Sequence, residues 1–192
     1  MKNIEIFDNF IPENNQMIVG GVLRDLYFPW YYNTTTIKYT ENSLDFNKKY
    51  LKWWQRKFPI NNNKPQFTHT FYKNGEIKSN YFEIIKNSFF DYIPEFQTHN
   101  LDRIKANLTY PYRDRSILMP HRDLDGKDGV IYLYYVEDSD GPTIVFDENG
   151  KMQKIHPKQG RVLKMSALTY HSSNVPNKYE KRVVINIVFS KK

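Results

Sequence analysis

His121-Arg122-Asp123 sets two metal-donor side chains one residue apart, His171 follows fifty residues later, and Arg182 stands eleven beyond that. The chain has no cysteine, so thiolate zinc sites, disulfides and cysteine nucleophiles are excluded and a metal must sit on His, Asp or Glu. On a strand, period-two alternation turns His121 and Asp123 to one face. With His171 brought alongside, they make a two-His, one-carboxylate facial triad, which leaves three adjacent octahedral positions open. That is room for a bidentate 2-oxo acid and dioxygen on Fe(II). Arg182 suits the far carboxylate of such an acid, because a planar guanidinium gives two parallel hydrogen bonds where a lysine gives a point charge. Lys181, of opposite parity, is expected to face outward.

The elements that must position these residues are short strands. Eight β-like runs broken by turns follow Leu101: Arg103 to Tyr110, Ile117 to Asp123, Val130 to Val136, Thr143 to Phe146, Met152 to His156, Arg161 to Met165, Leu168 to His171 and Arg182 to Phe189. Their spacing predicts a mainly β fold with flanking helices around a double-stranded β-helix, a jelly-roll, cupin-like core, in which the second and seventh strands lie together at the barrel mouth. We read residues 1–192 as a single domain. Within it, residues 101–190 are the catalytic core and residues 1–100 a helical and irregular region that supports it and faces substrate. That first region is read as a strand at Ile4 to Phe7, a helix from Pro12 toward Asp25, a second helical pattern over Ser43 to Lys57, and a third over Asn80 to Tyr92. The third carries Phe82, Ile85, Phe89 and Tyr92 on one stripe, with Ser79 as a cap. Lys73-Asn74-Gly75-Glu76 reads as a hairpin turn.

Several segments, taken in order, resemble the 2-oxoglutarate and Fe(II) oxygenase superfamily and its prolyl 4-hydroxylase-like branch. They are His121-Arg122-Asp123, Ile131 to Tyr135, Asp140-Gly141-Pro142-Thr143, Pro157-Lys158-Gln159-Gly160-Arg161, His171 and Arg182. Phe28-Pro29-Trp30 and Phe67 to Phe71 look like small bacteriophage-encoded members. The resemblance implies a dioxygenase that uses Fe(II), 2-oxoglutarate and O2, with ascorbate as a stimulant. Such an enzyme hydroxylates a C–H bond, that of a peptidyl proline first of all, as 2-oxoglutarate is decarboxylated to succinate and CO2. It implies that Tyr135 and Thr143 help Arg182 hold 2-oxoglutarate, and that Tyr112, or Tyr110 one register over, lies near the metal. The chain departs from the branch at Asp140, where a glycine is common, and at Val188, where many members carry a substrate-contacting tryptophan.

Other readings of the same residues are weaker. His121-Arg122-Asp123-Leu124 also spells the opening of a protein-kinase catalytic loop, but Asp128 stands where asparagine is required and no glycine-rich loop or Asp-Phe-Gly is present. His69, His99 and His156 have no ligand spacing and read as structural or surface residues. The stripe of Tyr50, Trp53 and Trp54 reads as core. The net charge of +7 is spread along the chain, +2 before residue 101 and +5 after it, which describes a solvated basic surface. A protein or peptide substrate is expected. The same chemistry on nucleic acid is the second reading, and a non-catalytic jelly-roll binding protein the third. No apolar run approaches the length of a signal or a membrane span, so no membrane partner is expected and the location reads as cytoplasmic, the host cytoplasm for a viral protein.

Overall fold

The computed structural model describes residues 4–35, 64–112, 118, 120–124, 126–147 and 149–192. The helical pattern over Ser43 to Lys57, with Tyr50, Trp53 and Trp54, lies outside them. Eleven strands and three helices are described: β1 (Ile4–Phe7), α1 (Glu13–Arg24), β2 (Tyr31–Asn33), β3 (Gln66–Lys73), β4 (Glu76–Ile77), α2 (Phe82–Phe89), α3 (Glu95–Thr98), β5 (His99–Thr109), β6 (Gly129–Tyr135), β7 (Thr143–Phe146), β8 (Met152–Ile155), β9 (Val162–Ser166), β10 (His171–Ser173) and β11 (Arg182–Lys191). No described helix is long and apolar enough to cross a membrane.

The strands form two antiparallel sheets. The large one runs β1-β9-β6-β11-β5-β3-β2, with β4 on β3, and the small one runs β10-β7-β8. Facing sheets with this order make a jelly-roll core flanked by helices, the architecture that the strand spacing predicts. The first hundred residues contribute β2, β3 and β4 beyond the strand expected at Ile4 to Phe7; that strand, β1, pairs with β9, and β3 pairs with β5 toward the other edge of the large sheet.

Alternation along β5 and β11 divides the large sheet into two chemical faces. Ile104, Ala106 and Leu108 of β5 and Val183, Ile185, Ile187 and Phe189 of β11 face one way, into a core shared with Val19 and Leu23 of α1 and with Phe82, Ile85 and Phe89 of α2. Burying each of the valine, leucine, isoleucine and phenylalanine side chains stabilises the fold by about 1.5–3 kcal/mol. The other face has an apolar half, where Leu133, Tyr135, Val184 and Val188 pack against Val145 and Ile155 of the small sheet. Its other half is polar: Lys105, Asn107 and Thr109 of β5 and Arg182 and Asn186 of β11 line a cavity there.

Local sequence explains the joints. The Asn74-Gly75 turn between β3 and β4 has φ of 51° and 88°, the left-handed pair that a two-residue hairpin requires. Ser79 does act just before α2, its hydroxyl accepting the Tyr81 N–H at 3.1 Å, although Tyr81 is the N-cap residue. Tyr92 lies beyond the end of α2 and is exposed.

Candidate metal centre

His121 and His171 face each other across an isolated antiparallel bridge, with reciprocal backbone hydrogen bonds of 2.9 and 3.0 Å. Residues paired in this way project to the same side, and the two imidazole centroids are 4.5 Å apart. His171 is anchored further by the pairing of β10 with β7, opposite Val145. Among the described residues the strand expected over Ile117 to Asp123 shows this bridge and the Leu118 N–H on the Ser173 carbonyl at 3.2 Å, and the strand expected over Leu168 to His171 begins only at His171. Strand parity therefore does not aim Asp123.

Side-chain hydrogen bonds aim it instead. Arg103 Nη2 donates to Asp123 Oδ1 at 2.5 Å, and Asn186 Nδ2 donates to Oδ2 at 2.8 Å. The carboxylate comes within 3.6 Å of His171 Nε2 and 4.0 Å of His121 Nε2. Burial alone raises the Asp123 pKa, but the charges of Arg103, His171 and His121 and the Asn186 hydrogen bond outweigh it and hold the carboxyl far below the usual range. Arg122, a neighbour that could have neutralised Asp123 as a surface pair, lies over the ring of Tyr170 at 4.1 Å.

One donor atom from each of His121, Asp123 and His171 lies within 4.8 Å of the others, close enough to converge on a single ion. His171 Nδ1 is 3.1 Å from the Thr169 carbonyl, so it carries the proton and leaves the Nε2 lone pair directed at the site. Two imidazoles and a monoanion suit Fe(II), which fits this donor set.

Arg182 closes the far end of the cavity. It is 3% exposed, with Nε donating to the Gly141 carbonyl and Nη2 to Thr143 Oγ1, both at 2.8 Å. Tyr135 lies behind, its hydroxyl donating to Thr143 Oγ1 at 2.7 Å and its ring 5.7 Å from the guanidinium. Burial lowers the Arg182 pKa, and none of its hydrogen-bond partners among the described residues is a carboxylate. A buried guanidinium with no counter-anion is costly unless a ligand supplies one. Thr109, opposite Arg182 in the sheet register, adds a buried hydroxyl without a partner. A ligand carboxylate satisfies both groups, so the residues fit a co-substrate such as 2-oxoglutarate.

The structure thus brings together His121, Asp123, His171, Arg182 and Thr143 around one cavity of about 530 Å³, counting its open mouth, with Tyr135 behind Thr143. It does not bring Tyr112 to the cavity lining: the Tyr112 hydroxyl donates to the Pro65 carbonyl and its ring lies under the Lys64 ammonium. Tyr110 is exposed against Phe67. His69 is held between Pro29 O and Ser79 Oγ, both at 2.7 Å, a structural role. Sequence reasoning missed Arg103, Lys105 and Asn186. The signal for Asn186 was a lone amide among the apolar residues of the last strand, and for the other two the basic alternate face of β5.

The sequence matches no protein-family model and no curated protein. Solved structures share the fold. A Burkholderia pseudomallei oxidoreductase of the 2OG-Fe(II) oxygenase family superposes with a TM-score of 0.64 at 11% identity, over 98% of this chain and 86% of that one. A Pseudomonas putida prolyl-4-hydroxylase gives 0.53 at 9% identity over 98% and 92%. The non-heme alpha ketoglutarate dependent epimerase SnoN from nogalamycin biosynthesis gives 0.53 at 12% over 94% and 82%. At these identities the likeness is one of fold.

Proposed function

We propose that this chain is a 2-oxoglutarate- and Fe(II)-dependent dioxygenase that hydroxylates a C–H bond, with peptidyl proline as its first candidate substrate. The observation that carries the reading is the pairing, in one cavity, of a His-Asp-His donor set with a buried arginine that has no acid partner among the described residues. His121, Asp123 and His171 hold the metal, while Arg182, Thr143 and Thr109 take the far carboxylate of 2-oxoglutarate. Bound together there, Fe(II), 2-oxoglutarate and O2 supply the oxidising chemistry, with succinate and CO2 as co-products. The chain's own part is orientation. Arg103 and Asn186 fix both carboxylate oxygens of Asp123, the Thr169 carbonyl fixes the His171 ring, and Leu133 and Val184 give the cavity an apolar stretch of wall.

The order of motifs supports proline, and the shared fold with a prolyl-4-hydroxylase is consistent with it. An epimerase has the same fold, so the substrate must be argued from the cavity. Incubation with Fe(II), ascorbate and 1-14C-labelled 2-oxoglutarate tests the reading. Release of labelled CO2 that rises with a proline-containing peptide and vanishes in Asp123→Ala is expected. No release above that of the variant, with or without peptides, contradicts it.

A further inference from the structure

Lys105 is a second cation in the cavity, and the described residues provide no hydrogen-bond or ion-pair partner for it. It sits on β5 directly opposite Asn186, which holds Asp123, and four residues from Thr109, which stands opposite Arg182. Its ammonium has no hydrogen bond or ion pair among the described residues. Burial pushes its pKa down to about 8, with the Arg103 and Lys73 charges acting in the same direction and Asp123 opposing them. Four residues of strand separate the levels of Lys105 and Arg182 by about 13 Å at the backbone, and the Arg182 guanidinium is tied to Gly141 and Thr143. One carboxylate therefore does not serve both. The charges point the same way: a divalent metal, Asp123, Arg182 and a dicarboxylate co-substrate already cancel, which leaves Arg103 and Lys105 in excess.

We infer that Lys105, with Asn107 beside it on the cavity face of β5, binds a second carboxylate, separate from the one Arg182 holds. This inference rests on the oxygenase reading. The group is either the metal-side carboxylate of the 2-oxo acid or an acid on the molecule being oxidised. A peptidyl proline is neutral, so in the second case the substrate carries a free acid or an acidic residue next to the reacting one.

The test is calorimetric titration of the Mn(II)-loaded protein, in the unaltered chain, Lys105→Met and Lys105→Arg. In one arm the titrant is 2-oxoglutarate. In the other, protein saturated with Mn(II) and 2-oxoglutarate receives free L-proline, Asp-Pro and Pro-Asp dipeptides, propionate, succinate and glutarate. Loss of about tenfold or more in Lys105→Met, recovered in Lys105→Arg, is expected in one arm, the size of one charge-assisted hydrogen bond. Loss in the first arm assigns the carboxylate to the co-substrate, and loss in the second assigns it to the substrate. Binding of Mn(II) and 2-oxoglutarate with no effect of Lys105→Met in either arm, or with no titrant bound in the second arm and the first unchanged, overturns the inference and leaves the oxygenase reading intact. Failure of the unaltered protein to bind Mn(II) or 2-oxoglutarate overturns the oxygenase reading and the inference with it.

Discussion

Arg182 holds a full charge at 3% exposure, and its hydrogen-bond partners among the described residues are a carbonyl and hydroxyls rather than a carboxylate. A fold tolerates such a group when its function needs it, at a cost in stability until a ligand anion arrives. Two outcomes separate that view from a structural role. Arg182→Met should weaken 2-oxoglutarate binding by about 10- to 100-fold, the loss of a charge-assisted pair, with metal affinity nearly unchanged. In the absence of 2-oxoglutarate the same variant should melt no lower than the unaltered protein in differential scanning calorimetry. A melt several degrees lower would mean that Arg182 serves the fold. The ligand set has its own dependence: Asn186→Ala frees one oxygen of Asp123 and should lower metal affinity about tenfold. A competition titration against a fluorescent chelator reads that loss, and unchanged affinity would contradict the positioning role. His121, Asp123, His171 and Arg182 were legible from residue type and order because metal donors and guanidinium forks have few substitutes. Arg103, Lys105 and Asn186 were not, because on an isolated strand a polar alternate face reads as a solvent face until a second sheet closes over it.

At the level of elements, the anion end of the cavity depends on a close approach of backbone. A Cβ on Gly141 would meet Asn174 O at 2.7 Å and Pro176 N at 2.8 Å, so the segment before β7 must shift in Gly141→Ala. That shift moves the carbonyl that accepts from Arg182, and 2-oxoglutarate affinity should fall more than metal affinity in calorimetry of the variant. Equal losses would place Gly141 in general folding. At the opposite edge of the large sheet, Asp8 just after β1 accepts from Arg161 Nε at 2.7 Å beside β9. The Arg161 hydrogen bond is the main influence on Asp8, whose pKa is lowered to about 2, so its contribution is present above pH ~4 and is lost as pH falls toward 2. Asp8 is 41% exposed, and solvent screening limits that contribution to about 0.5 kcal/mol. Asp8→Asn should therefore differ slightly from the unaltered protein in urea melts at pH 7, with the difference shrinking as pH falls through about 2. Most strands after Leu101 were visible as short runs between turns. In the segment holding His121 and Asp123 the described residues pair with β10 at the His121 bridge and through the Leu118 N–H on the Ser173 carbonyl, and the pairing does not extend to Asp123. Of the strands in the first hundred residues, β1 was visible at Ile4 to Phe7, while β2 and β4 are too short to show a period.

At the scale of the molecule, two sheets and a helical layer divide the work. The helix-side core, with Ile104, Ile185 and Ile187 fully buried, carries stability, while the opposite face of the same strands carries chemistry. Because β5 and β11 serve both, the site is built on two paired strands inside the large sheet rather than on its edges. The central claim is that one cavity binds a ferrous ion and a 2-oxo acid together. Its most direct test is anaerobic addition of Fe(II) and 2-oxoglutarate to the unaltered protein and to His171→Ala, watching the weak visible metal-to-ligand absorption of a chelated 2-oxo acid. A band in the unaltered protein that is lost in His171→Ala is the predicted result. No band in the unaltered protein, or an equal band in both, would contradict the account.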